Sequence, residues 1–281
     1  MANASASGTF TLGGDLTVNR LGFGAMRITG DGIWGPPRDT AEAVVVLRRA
    51  VELGVNLIDT ANSYGPHVSE EFIAEALQPY PDDLVIATKA GLTRSGPNRW
   101  APRADPDYLI AECEGSLHRL GLETIPLFQL HRPDPKVPLA DSVGALVTLQ
   151  QQGKIRHIGL SNVTVDQIRQ AQQVATVVSV QNRYNVNDRD AQAVVDLCTD
   201  EGLAFLPWAP IRDIEGNRDV AELARVHGAT PHQIVLAWLL AASPVILPIP
   251  GTSSVGHLEE NIAAVDVVLT QADVDALTAG R

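Results

Sequence analysis

A helical stretch, a glycine, then a short apolar run: this order recurs along the chain as VELGVNLID, HRLGLETIPLFQLH, QQQGKIRHIGLS and CTDEGLAFLPW. Gly54, Gly121, Gly153 and Gly202 stand just past the helical part. A left-handed residue there ends a helix, and glycine adopts it without steric cost. The apolar runs are nearly continuous, as in strands covered on both faces. Eight of them are expected as strands, at 21–24, 57–59, 85–89, 127–130, 155–160, 177–181, 204–208 and 246–249. Between them, helical periodicity is expected over 40–53, 69–77, 106–120, 140–152, 165–172, 190–201, 219–227 and 231–242. In the first of these, Val44, Leu47 and Val51 repeat at helical spacing, and Asp39 with Glu42 has the form of a capping box.

Eight β/α units in 281 residues fit an α/β chain folded as a (β/α)8 TIM barrel, a single domain over 1–281. The open Rossmann sheet is a poorer fit, because the turn after the first strand reads LGFGAMR and lacks G-x-G-x-x-G. Before the barrel, TFTL and LTV flank a Gly-Gly turn. They predict a β-hairpin capping the barrel bottom.

The formal net charge of -12 argues against nucleic acid and against an anionic membrane surface. Ile234 to Pro250 is the most apolar stretch, but Ser243, Pro244 and Pro248 interrupt it, so it predicts a buried helix and strand rather than a membrane span. MANASASGTF has no basic n-region and no apolar h-region. Cys113 and Cys198 fall in predicted helices and are expected to be reduced, in a cytoplasmic protein.

Four ionisable residues close or follow three consecutive strands. Asp59 ends VNLID, Tyr64 lies in the loop DTANSYG, Lys89 ends LVIATK and His131 ends LFQLH. Each alone has an ordinary reading: a loop carboxylate, an amphipathic loop tyrosine, a surface lysine, a core histidine. Adjacent parallel strands lie about 4.8 Å apart, so the topology brings all four to the C-terminal rim of the sheet, where such folds carry chemistry.

Those motifs, with GLSN and QNRYN, resemble the aldo-keto reductases over nearly the whole chain, from LGFGAM to IPGTSSVGHLEENIAA. The resemblance implies that Asp59, Tyr64, Lys89 and His131 form a catalytic tetrad. It also implies NADPH-dependent reduction of a small-molecule carbonyl substrate, an aldehyde or ketone, with NADH as an alternative cofactor. Tyrosine is a weak acid, with an ordinary pKa of roughly 10. Lys89 is expected to lower that value, Asp59 to hold Lys89 charged, and His131 to orient the carbonyl oxygen. No metal is implied.

Ser161, Asn162 and Gln181 are implied as holders of the nicotinamide amide, and Trp208 as the aromatic beside its ring. Gly24 and Met26 join these cofactor contacts. Gly251, Thr252, Ser253, Ser254 and His257 are implied at the phosphate, and Glu260 and Asn261 at the adenine. The phosphate segment departs from the family, because it lacks a Lys or Arg. Arg27, Trp34, Trp100 and Arg132 are candidate substrate-pocket residues. GPPRDT, the short loop after Trp208 and GTSSVGHLEEN resemble bacterial members that reduce pyridoxal. The competing readings are a dehydrogenase oxidising a sugar or pyridoxal alcohol, a non-catalytic NADPH-binding regulatory subunit, and a phosphosugar barrel enzyme.

Overall fold

In the computed structural model, which describes residues 2–279, the parallel strands pair in the order that the repeating unit demands. The elements in chain order begin with β1 (Thr9–Leu12), β2 (Leu16–Asn19), β3 (Phe23–Gly24), α1 (Thr40–Glu52), β4 (Leu57–Asp59), α2 (Val68–Leu77) and β5 (Val85–Ala90). There follow β6 (Leu92–Gly96), β7 (Arg99–Pro102), α3 (Pro106–Leu120), β8 (Ile125–Leu130), α4 (Leu139–Gln151), β9 (Ile155–Ser161), α5 (Val165–Gln172) and β10 (Val177–Gln181). The chain continues through α6 (Gln192–Glu201), β11 (Ala204–Phe205), α7 (Arg218–His227), α8 (Pro231–Ala242), α9 (Val255–Ile262) and α10 (Gln271–Ala279). Seven strands form one parallel sheet in the order β3-β4-β5-β8-β9-β10-β11.

The expected eighth strand, 246–249, is not a regular strand. It touches β11 through one parallel bridge, Phe205 with Ile246, and reaches β3 through Gly22 N–H to Pro248 O at 2.9 Å and Gly24 N–H to Pro250 O at 3.3 Å. Pro244, Pro248 and Pro250 supply no N–H, so a full ladder cannot form. The barrel still closes. Gly24 makes this possible, because a Cβ there would lie 2.6 Å from Ile249 O.

Strand alternation sorts the core. Leu57, Val85 and Leu127 point into the barrel and pack with Leu12 and Val18 of the β1–β2 hairpin. The next residues, Ile58, Ile86 and Phe128, point outward to the helices. The hairpin therefore plugs one end of the barrel, as expected. Period two also turns Asp59, Lys89 and Gln129 inward, above that plug.

Of the repeat's glycines, Gly121 and Gly202 are left-handed helix caps, with φ of 61° and 67°. The Asp39 cap is half the expected box. Its side chain accepts the Glu42 N–H at 2.9 Å, but the Glu42 carboxylate reaches elsewhere. Two elements lie outside the sequence reading: α10, and the antiparallel β6–β7 hairpin in what reads as a long loop. No helix is long and apolar enough to cross a membrane among the described residues.

Candidate active site

The floor of the site is a buried ion pair. Lys89 is 0% exposed and Asp59 3%. An ammonium has three protons to place. Lys89 Nζ donates to Asp59 Oδ2 at 2.7 Å and to Thr60 O at 2.7 Å. Its third partner is the Tyr64 hydroxyl at 3.5 Å, the outer edge of hydrogen-bond range. The second Asp59 oxygen accepts from Gln181 Nε2 at 2.8 Å and from Gln129 Nε2 at 3.3 Å. His131 stands against the phenol ring, edge to face, with centroids 5.8 Å apart. The topology thus brings all four tetrad candidates together.

Burial dominates the proton equilibria. It pushes the Tyr64 phenol up; the Lys89 charge pulls the other way and Asp59 pushes up again, and the balance stays above the ordinary value. The expected pull from Lys89 is real but smaller than the desolvation it opposes. For Lys89, burial works against the charge, yet Asp59 and Tyr64 outweigh it and hold the pKa raised. Burial, with the Lys89 and Arg132 charges, holds His131 well below the usual histidine range. The resting site is therefore an ammonium, a protonated phenol and a neutral imidazole. His131 Nδ1 faces Ser63 Oγ at 3.4 Å.

The candidate nicotinamide side is knitted by Asn162, a left-handed residue with φ of 58°. Its Nδ2 donates to His131 O and to Ser161 Oγ, each at 3.0 Å, and its Oδ1 accepts the Trp208 indole N–H at 3.2 Å. Gln181, expected to face the cofactor, is turned toward Asp59. Met26 lies in a tight turn after β3, where its carbonyl accepts the Thr29 hydroxyl at 2.8 Å.

At the candidate phosphate side, Gly251 lies against β3: a Cβ there would stand 2.4 Å from Gly24 O. A lysine is therefore excluded from 251 by this backbone. Arg27 supplies a cation nearby instead, its Cγ 3.6 Å from that position. Its guanidinium is exposed and makes no ion pair among the described residues. Arg27 thus lies beside Gly251, in the segment that the sequence reading assigns to the cofactor, rather than being tied to the pocket alone. Thr252 Oγ1 accepts the Ser254 N–H at 3.1 Å. The first N–H of α9, on Val255, donates to Glu42 Oε1 at 3.2 Å. The protein's own carboxylate thus sits at the helix end expected to hold a phosphate. Ser253 and His257 are exposed. Glu260 accepts the Thr230 hydroxyl at 2.7 Å, and Asn261 is buried beside it.

The candidate substrate-pocket residues sit on two loops and a hairpin. Trp34 pairs with Gly65 through a parallel bridge. Trp100, on β7, meets the Tyr64 ring edge to face at 6.4 Å. Arg132 is exposed. Between the indoles lies Arg94, a residue that the sequence reading passed over. It sits 3.5 Å from the Trp100 ring centroid and 5.7 Å from that of Trp34. The signal was present in LTRSGPNRWAP, two short runs about a Gly-Pro-Asn turn, but their polar, exposed residues hide the strands.

The sequence profile of the Aldo/keto reductase family matches residues 20–216 and 212–280. An uncharacterised oxidoreductase of Schizosaccharomyces pombe is 48% identical over 271 residues, 95% of this chain and 88% of that protein. Pyridoxine 4-dehydrogenase of Escherichia coli is 45% identical over 274 residues, covering 95% of this chain and 96% of that one. Among solved structures, an aldo-keto reductase from Klebsiella pneumoniae in complex with NADPH superposes with a TM-score of 0.81 at 25% identity, over 99% of this chain and 94% of that one. With a profile match spanning nearly the whole chain and a barrel rim that holds the four expected side chains together, this oxidoreductase belongs to the aldo/keto reductase family.

Proposed function

We propose that the protein reduces an aldehyde or ketone with NADPH, with Tyr64 as the general acid and a pyridoxal-type or other aromatic aldehyde as substrate. The carrying observation is the buried Lys89–Asp59 pair with its third ammonium proton directed at the Tyr64 hydroxyl. The rim also fits a dinucleotide. Asn162 and Ser161 offer amide and hydroxyl groups there, and Arg27 is a cation with no ion pair among the described residues. Bound NADPH supplies the hydride that goes to the carbonyl carbon.

The protein's own groups handle the proton. Tyr64 gives its hydroxyl proton to the carbonyl oxygen as charge builds there. Lys89 then faces the phenolate left behind, which it stabilises without changing its own charge. Asp59 balances Lys89 in the resting state and fixes its direction. A neutral His131 offers an N–H donor toward the carbonyl oxygen and does not compete with Tyr64 as an acid. Trp34, Trp100 and Trp208 wall the mouth with flat apolar faces that suit an aromatic ring.

The relative named for pyridoxine oxidation supports the choice of a pyridoxal-type aldehyde, since alcohol and aldehyde form one redox couple. An NAD-linked dehydrogenase is the second reading, favoured by Glu42 at the α9 N-terminus, where it opposes a 2′-phosphate. NADPH oxidation followed with pyridoxal, aromatic aldehydes, methylglyoxal and small ketones tests the proposal. Turnover strongest with the ring aldehydes is expected. No turnover with any of them, with either NADPH or NADH, would overturn it.

A further inference from the structure

The mouth of the site is organised around one side chain that cannot itself bind a substrate. Arg94 has five N–H donors, and all five are spent on backbone carbonyls. Nε donates to Arg99 O at 3.2 Å. One terminal nitrogen donates to Ile33 O at 2.6 Å and Ser63 O at 2.9 Å. The other donates to Gly32 O at 2.8 Å and Gly96 O at 3.3 Å. These carbonyls belong to three separate segments: the 30–35 loop after β3, the Ser63–Tyr64 loop after β4, and the β6–β7 hairpin.

The faces of the guanidinium are used as well. The Trp100 ring lies 3.5 Å from its central carbon and the Trp34 ring 5.7 Å away, both within cation–π range. Trp100 in turn meets the Tyr64 ring. Arg94 is half-buried and makes no ion pair among the described residues, and burial lowers its pKa. A carboxylate partner would stabilise the charge more cheaply, so a guanidinium held only by carbonyls and indoles is an arrangement about shape.

We propose that Arg94 is a positioning residue that sets the distance between the Tyr64 hydroxyl and the indole wall of Trp100, and so selects flat aromatic carbonyl compounds over small aliphatic ones. The argument rests on the reading of Tyr64 as the acid of a carbonyl reductase. A lysine cannot replace Arg94, since three donors on a point charge serve neither five carbonyls nor a flat stack.

The test uses the full chain with Arg94→Met, Arg94→Lys, Trp100→Leu and the Arg94→Met/Trp100→Leu double variant. kcat and KM are measured for benzaldehyde and propanal, with NADPH affinity and tryptophan fluorescence alongside. Both Arg94 variants should lose at least about fivefold in the ratio of benzaldehyde to propanal kcat/KM, the scale of a cation–π contact. Trp100 emission should change, and NADPH affinity should stay within about twofold. The double variant should lose little beyond either single change, because the two residues act as one unit. An unchanged substrate ratio in Arg94→Lys, or strictly additive losses, would overturn the proposal. Should Arg94→Met fail to fold, the Arg94→Lys and Trp100→Leu ratios decide alone. A wild type that reduces neither aldehyde would instead strike the carbonyl-reductase reading itself.

Discussion

The floor of the barrel rim and the start of α9 both place charge where a cofactor or substrate would lie, yet they are built in opposite ways. At the floor, Lys89, Gln129 and Gln181 all donate to the Asp59 carboxylate inside the barrel, on strands whose alternation leaves each side chain one direction. At α9, the Val255 N–H is met by a half-exposed Glu42 that arrives from another helix, and Ser253 and His257 lie open to solvent. In the proposed function, groups locked by strands and by each other carry the chemistry, and groups supplied by loops and helix ends set the cofactor preference.

The contrast breaks most visibly at the floor. Tyr64→Phe keeps the ring and removes the proton. kcat should fall at least ~10²-fold, the lower scale of general acid catalysis, while NADPH affinity persists; near-normal turnover with a good aldehyde would remove Tyr64 from the acid role.

Lys89→Met should act twice. It leaves Asp59 buried without its partner, a loss on the order of 3–5 kcal/mol in unfolding free energy, measurable by denaturant titration. It also removes the pull on the phenol, so the basic limb of the pH–rate profile should move to higher pH and kcat should fall. A stable variant with an unmoved limb would mean that Lys89 is only structural.

The α9 rim should respond far less. Glu42→Gln keeps a hydrogen-bond acceptor and removes the charge facing a 2′-phosphate. NADPH affinity should rise about two- to fivefold, the scale of a charge at a helix end, with NADH unchanged. Equal gains for both cofactors would show that Glu42 acts on the fold rather than on the phosphate.

The last effect is thermodynamic. His131 has a depressed pKa in the folded state, so the unfolded chain binds this proton more readily. Stability should therefore fall as pH drops below about 6.5, the ordinary histidine value. His131→Gln should flatten that acid slope. An identical slope in the variant would mean that other groups carry it.

The tetrad was legible because each member sits on or beside a strand end, and a parallel sheet lines up such ends. The hairpin plug was legible from Gly13 and Gly14 between two alternating runs. Arg94 was not, since its partners are carbonyls, which no sequence pattern marks. Glu42 read as half of a capping box, a local role. Its contact with Val255 depends on how α1 packs against α9, which spacing along one helix cannot reveal. The 251–257 segment read as lacking a cation because no Lys or Arg stands in it. Arg27 comes beside Gly251 from the other end of the chain, a proximity that no local pattern marks.

The proline-rich segment at 244–250 makes the barrel a split ring. Neighbouring strands such as β5 and β8 share a ladder, whereas the segment meets β3 through only two backbone hydrogen bonds, from Gly22 and Gly24. The split joins the first strand of the barrel to the last, and Gly24 and Gly251 lie side by side at its upper lip. Whatever lies across that lip touches both ends of the circuit at once, and so acts as the clasp of the ring.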